Sequence, residues 1–296
     1  MKKLLTILLL AVFCSTSALP QNSAFKKIPF RLVNNMVIVE ARMNGTTGNF
    51  ILDTGFPLSV VNPHQVEGLV RVPAPQAQSA FSGVPVSVDQ FEWAGMERQD
   101  MKAVAMNISH LESTANQEIM GIIGAEVLQQ VEVMFDFRNQ VVLLYDRKSS
   151  WLHEQHRPQF SLPFELEQGL PVLRTKMGGR TYRLGLDIGG RYNLMREHLL
   201  ETLPREIVGR ISRQQLLDFA NMPDYFDKAP VSDLTISGRS FDPTTFVFTE
   251  LKKAISADVD GILGLDFLAR YRFAINYHKK TIYFWPHGSE INHRQI

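Results

Sequence analysis

The sequence has almost no cysteine, a single residue (Cys14) among 296. A chain with one cysteine forms no internal disulfide, so its stability has to come from a buried core. It also lacks an excess of either charge. Lys and Arg number 31 against 30 Asp and Glu, which leaves no basic face for phosphates, and nucleic acid is excluded as a partner. After the N-terminus no apolar run approaches the ~18 residues of a membrane span, so no transmembrane segment is expected in the mature chain. Helical periodicity is scarce as well. What is present is 45% hydrophobic residues, over a length that suits two domains or one large one.

The first residues read as an export signal. Lys2 and Lys3 precede the apolar run Leu4 to Phe13 and the small residues Ser15 to Ala18, the order of charge, apolar stretch and small residues that a signal peptidase requires. Residues 1–18 are therefore expected to be removed and the mature protein to be exported, periplasmic or secreted. Acylation of Cys14 would anchor it to a membrane, but Phe13 stands where such a site needs a small residue, so the lipid-anchored form is the lesser expectation.

The chain repeats itself, and this organises everything else. Ile28-Pro29-Phe30-Arg31-Leu32 recurs as Leu162-Pro163-Phe164-Glu165-Leu166, a shift of 134 residues that continues without a gap through Met43/Met177, Gly45/Gly179, Leu52/Leu186, Asp53/Asp187 and Gly55/Gly189. Gly121-Ile122-Ile123-Gly124 then faces Gly261-Ile262-Leu263-Gly264 at a shift of 140. Two matches in the same order at nearly the same offset indicate a tandem duplication. The expected division is a signal at 1–18, an N-terminal lobe at 25–148, a connection at 149–160 and a C-terminal lobe at 161–290.

Within each half the patterns are those of strands. Met36 to Val39, Gln140 to Tyr145, Leu170 to Leu173 and Thr281 to Trp285 are short β-branched or aromatic runs bounded by turn residues. Asn44-Gly45 and Gly178-Gly179 are hairpin signals at matching positions. Short helices are expected after Gly124 and Gly264, and a longer amphipathic one between about Glu197 and Phe219. The fold class is all-β with few short helices, in two homologous β-barrel-like lobes related by an approximate two-fold.

The duplicated aspartates point to the chemistry. Leu52-Asp53-Thr54-Gly55 follows Phe50-Ile51 and precedes Ser59-Val60-Val61, and the second half has Gly185-Leu186-Asp187-Ile188-Gly189 followed by Leu194-Met195. With the later Ile122-Ile123-Gly124 and Ile262-Leu263-Gly264, this set resembles the aspartic protease superfamily. It is closer to the retropepsin-like bacterial aspartyl proteases than to pepsin. The resemblance covers about residues 28 to 285 and implies a bilobal acid-protease-like fold with a cleft between the lobes. It also implies an aspartic endopeptidase that acts on a peptide or protein substrate, with Asp53 and Asp187 catalytic and Thr54, Gly55, Ile188 and Gly189 supporting the active-site loops. No metal and no cofactor are implied, and with both lobes in one chain a monomer suffices.

The pattern has a physical reason of its own. A glycine after the tip lets the backbone turn and aim its N–H groups at the carboxylate. Two carboxylates brought together by the two-fold cannot both ionise cheaply, so they share a proton, and one activates a water while the other protonates the leaving group.

This chain departs from the family at two places. Ile188 stands where the family has Thr or Ser, so Thr54 has no symmetric hydroxyl partner. Phe56 stands where a small residue is usual, beside the carboxylate, while Gly190 occupies the matching place in the second half. These departures leave an alternative, a catalytically silent peptide-binding module of the same fold. The family's flap, a hairpin over the cleft, is best matched by the stretch from Phe81 through Ser82 and Gly83 to Val86, with Gly83 at its tip and Phe56 and Phe81 able to touch substrate.

Other features are given structural readings. Asp136 and Asn276 match between the repeats and are expected to make turn hydrogen bonds. His153-Glu154-Gln155-His156 has its histidines one residue too close for a zincin motif. Asn44-Gly45-Thr46 and Asn107-Ile108-Ser109 are glycosylation sequons that matter only if the host glycosylates its exported proteins. Only about nine residues lie between Ala18 and Ile28, too few for a cleft-filling propeptide. N-terminal sequencing of the mature protein is expected to give a start close to residue 19, and a start far beyond Ile28 would refute the absence of a zymogen.

Overall fold

Asn44-Gly45 and Gly178-Gly179 take positive φ throughout, 47° and 80° in the first pair and 55° and 75° in the second. This is the geometry of a two-residue turn whose twist matches its strands. The turns fold Met36–Met43 onto Thr46–Leu52 and Leu170–Met177 onto Arg180–Leu186. A computed structural model of the chain describes residues 24–73, 83–217, 223–251 and 258–288. The signal reading of residues 1–18, with Cys14, falls outside them.

Both hairpins lead into the same construction. Thr46–Leu52 runs parallel to Gly121–Ile123, and Arg180–Leu186 runs parallel to Gly261–Leu263, with Leu52 opposite Ile123 and Leu186 opposite Leu263. In the first lobe an eight-stranded sheet curls until Met36–Met43 also pairs with Val84–Trp93, which closes it into a barrel-like shape. The second lobe has a ten-stranded sheet. Its strands Pro223–Val231 and Leu234–Ile236 stand where the first lobe has the one long strand Val84–Trp93. The protein is mostly β, and the described helices are short.

A third sheet of six strands joins the lobes, three strands from each half. At its centre Val131–Asp136 pairs antiparallel with Arg272–Asn276, Met134 lying opposite Ala274. Residues 134 and 274 are equivalent under the shift of 140, so the approximate two-fold passes between them. Phe135 and Phe273, cross-strand partners, stack with ring centroids 5.1 Å apart. On either side lie two buried polar pairs. Arg272 donates from Nε to Asp136 Oδ2 at 2.7 Å, and Asn276 donates from Nδ2 to Glu132 Oε2 at 2.5 Å. The shift of 140 carries Glu132 onto Arg272 and Asp136 onto Asn276, so the pairs occupy equivalent places with different chemistry. Asp136 and Asn276 also accept from the backbone N–H of Asn139 and Lys279, which fixes the two matching turns.

Two local readings change. The long helix expected between about Glu197 and Phe219 does not form over the described part of that span, residues 197–217. Its place is taken by a short helix, Leu199–Thr202, a 3-10 turn, Arg205–Ile207, and a strand, Ser212–Leu217, paired with Pro223–Val231. Pro204 has no N–H to continue a helix and disfavours helical backbone at Leu203, and cross-strand pairing claims the rest. A helix at Ser109–Ala115 was not singled out from the sequence. The short helices after Gly124 and Gly264 form as expected, at Ala125–Leu128 and Leu265–Leu268.

The connection between the lobes carries the helix Trp151–Gln155, which lies on the six-stranded sheet. His153 is used there for packing. Its Nε2 lies 2.8 Å from buried Glu132 Oε1, and its ring centroid is 3.9 Å from that of Tyr283.

Because the six-stranded sheet belongs to both lobes, damage at its centre should be felt by the whole molecule. Phe273→Ala is expected to cost about 3–5 kcal/mol and to shift a single urea unfolding transition. A variant that showed two transitions, only one of them displaced, would contradict a shared core.

Candidate active site

Leu52 and Leu186 end their strands side by side with Ile123 and Leu263, and the next residue of each turns out of its sheet. The Asp53 N–H donates to Ile123 O and the Asp187 N–H to Leu263 O, both at 3.1 Å. Two residues on, the Gly55 N–H donates to Asp53 Oδ1 at 2.7 Å and the Gly189 N–H to Asp187 Oδ1 at 2.8 Å. Each carboxyl is thus oriented by its own loop.

The glycines do more than turn the chain. A Cβ on Gly189 would lie 2.1 Å from Asp53 Oδ2, and one on Gly55 would lie 2.9 Å from the Asp187 carboxyl carbon. Each carboxyl packs on the glycine of the opposite loop, where only a hydrogen atom fits. This reciprocal contact sets Asp53 and Asp187 beside each other where the two loops meet.

Thr54 ties the loops together from one side. Its Oγ1 donates to Leu186 O and accepts from the Ile188 N–H, both at 3.0 Å. Ile188 is fully buried and returns no hydroxyl. Beneath the loops the Gly124 N–H donates to Ser59 Oγ at 3.1 Å, and the Gly264 N–H donates to Asn193 Oδ1 at 3.0 Å. The chain crosses itself closely here. A Cβ on Gly124 would lie 2.6 Å from the Leu58 carbonyl carbon, and one on Gly264 would lie 2.5 Å from Tyr192 O. That close approach accounts for the glycine that ends each apolar-apolar-Gly segment. Sequence reasoning did not assign Ser59 and Asn193, although the shift of 134 superposes them and a polar residue at both places was the available signal.

The electrostatics follow from burial. Asp53 has its pKa raised well above the usual carboxylate range, first by burial and then by the charge and contact of Asp187, against which the Gly55 and Phe56 N–H groups work only in part. Asp187 is more open to solvent than Asp53. Tyr277 lies buried close by, and its phenol is pushed up by burial and then by the charges of Asp53, Asp187 and Glu126, so it stays neutral. Glu126 is itself raised by burial, which the nearby Ser59 offsets in part. Tyr277 falls on Phe137 under the repeat, and that one added hydroxyl was the sequence signal for it.

The remaining candidates are dispersed. The Phe56 ring packs on a first-lobe apolar cluster that includes Ile38, Val60 and Ile108. Gly83 is at the start of Val84–Trp93, where a Cβ would lie 2.1 Å from Val104 Cγ1, so it is part of the hairpin's base. Phe81 and Ser82 lie outside the described residues. Among the described residues no group of three or more His, Cys, Asp or Glu could hold a metal.

Comparison with known proteins gives a family match for the first loop of this site. Residues 39–127, which include Asp53-Thr54-Gly55 and Ile122-Ile123-Gly124, match the aspartyl protease family. No curated protein matches the chain in sequence. Among solved structures the chain is similar to basic 7S globulin from soybean, at 7% identity and a TM-score of 0.47 over 87% of this chain and 93% of that one.

The raised Asp53 pKa sets a sign for stability against pH. Below the ordinary carboxylate pKa of 3.8 both folded and unfolded chains hold the proton. As pH rises from there toward the folded pKa, the unfolded chain releases a proton that the folded one keeps, and stability falls by up to about 1.4 kcal/mol per pH unit. Asp53→Asn removes this loss. Its thermal midpoint is expected to exceed that of the unmodified protein at neutral pH and to converge with it at about pH 3; midpoints that differ equally at both would show that Asp53 does not titrate in this way.

Proposed function

We propose that the protein is an exported aspartic endopeptidase, built from two lobes of duplicated origin, in which Asp53 and Asp187 activate one water to hydrolyse a peptide bond. The observation that carries this reading is the reciprocal packing of each carboxyl on the glycine of the opposite loop. A carboxyl pair held side by side and out of water retains one proton between its members and titrates as a unit. The more buried member is the costlier to ionise, so the shared proton rests on Asp53.

A water between them then loses a proton to Asp187 as it attacks the scissile carbonyl, while Asp53 donates its proton to the carbonyl oxygen. The tetrahedral intermediate collapses when Asp187 hands its proton to the leaving amine and Asp53 recovers one from the hydroxyl. The Gly55 and Gly189 N–H groups keep both carboxyls in register through these transfers. Neutral Tyr277 adds no charge against the pair. Four neighbouring positions, Thr54, Gly55, Ile188 and Gly189, hold the loops, and the site works within one chain.

One observation favours a second reading, a silent peptide-binding module. Thr54 grips the second loop, but Ile188 offers no hydroxyl in return, so the tips are held from one side only. Proteolysis separates the two. Cleavage of a denatured protein, followed from acid to neutral pH, is expected to fall by about 10²–10⁴-fold or more in both Asp53→Asn and Asp187→Asn. Activity that survives Asp187→Asn would exclude the dyad, and peptide binding without cleavage at any pH would favour the module.

A further inference from the structure

The two flanks of the carboxyl pair differ. The shift of 134 places Phe56 on Gly190. On the first flank the Phe56 ring lies against its apolar cluster. On the second, Gly190 has no side chain, and it lines a cavity of about 850 Å³ that extends to the hairpin of Ser212–Leu217 and Pro223–Val231. Gly190 is also next to the reacting groups, since a Cβ on it would lie 3.2 Å from Asp187 Oδ2. The cavity therefore begins beside the position where a peptide bond would sit.

Its chemistry changes from floor to mouth. Buried Val247 and half-buried Leu194, neighbours on paired strands, make an apolar floor, while the Phe248 ring turns into the core of the lobe. The exposed lining residues Glu197, Asp224 and Glu250 put carboxylates at the mouth, and none forms an ion pair with another described residue. The two guanidinium groups of the lining are engaged locally. Arg213 Nε lies 3.3 Å from Asp227 Oδ1, and Arg191 sits 5.0 Å from the centroid of the Tyr192 ring. The same ring has Lys228 Nζ at 5.6 Å, so its surroundings already accept cations.

We propose that this cavity takes a long substrate side chain with a cationic end, lysine or arginine, its stem along Leu194 and Val247 and its charge among Glu197, Asp224 and Glu250. A buried apolar stem with a charged head at solvent is how such side chains are best accommodated. That the occupant belongs to a substrate rests on the peptidase reading; the binding preference does not.

Two measurements test it. In the first, the full-length protein is incubated with a randomised peptide library and the cut sites are read by mass spectrometry. Lys and Arg should be favoured over Glu by about tenfold at one position near the cut, the scale of several partly exposed charge contacts. Glu197→Gln, Asp224→Asn and Glu250→Gln should each weaken the preference and together abolish it, with cleavage of alanine-bearing peptides unchanged. In the second, labelled peptides identical except for Arg, Ala or Glu at one central position are titrated against Asp53→Asn protein by fluorescence anisotropy, with the Arg peptide expected to bind most tightly. Equal binding of the three, or a cationic preference that survives the triple substitution, would overturn the proposal. Selective binding without cleavage by the unmodified protein would sink the peptidase reading alone, and cleavage without a cationic preference would sink this inference alone.

Discussion

Two carboxyl groups held together out of water resist ionising, and a fold that places them so must supply the stability from elsewhere. Here the cost falls on buried Asp53, whose loop meets that of Asp187 only because Gly55 and Gly189 leave room for the opposing side chain. The six-stranded sheet is the counterweight. It ties three strands of each half into one core, with the Phe135 and Phe273 rings stacked at its centre and the Arg272–Asp136 and Asn276–Glu132 pairs on either side. The loops cannot drift apart without disturbing that sheet, because the strands that end at Asp53 and Asp187 pair directly with Gly121–Ile123 and Gly261–Leu263, the segments that lead into it.

The scaffold is close to symmetric, but the chemistry laid on it is not. Backbone contacts repeat almost atom for atom, as in the Asp53 and Asp187 N–H bonds to Ile123 O and Leu263 O. Side chains at the same level differ in pairs. Ser59 and Asn193 do the same task with different groups, while Thr54 against Ile188, Phe137 against Tyr277 and Phe56 against Gly190 change what each side can do. The unequal burial of Asp53 and Asp187 belongs to this series. It sets the two carboxyls in unlike surroundings, which strict symmetry would not allow.

Much of this was legible in the sequence because the informative features are local. The turns at Asn44-Gly45 and Gly178-Gly179 need positive φ, the loop glycines need close approach, and both demands write themselves into residue identity at a fixed spacing. The repeat then doubled each weak signal. What it did not expose is long-range. The pairing of Val131–Asp136 with Arg272–Asn276 joins strands far apart in the chain, and neither strand's pattern names the other. The segment after Glu197 was misread for a related reason. Its apolar spacing suits a helix, but Pro204 and the partner strand Pro223–Val231 decide otherwise, and the second of these is invisible to a local window. Since Ser212–Leu217 also borders the cavity beside Gly190, the same misreading hid the cavity.

Carrying both halves on one chain is what permits such differences. In a closed dimer of identical subunits every substitution at the two-fold is made twice, so a bulky ring beside one carboxyl would stand beside the other as well. Here Phe56 fills one flank while Gly190 opens the other, and the loop contacts that hold the carboxyls are kept on both sides. The glycines that touch the opposing carboxyl, Gly55 and Gly189, are the positions where a side chain would collide. One residue further out the constraint relaxes, and there the halves diverge. Distance from the carboxyl pair therefore separates the residues that the geometry fixes from those free to shape what binds.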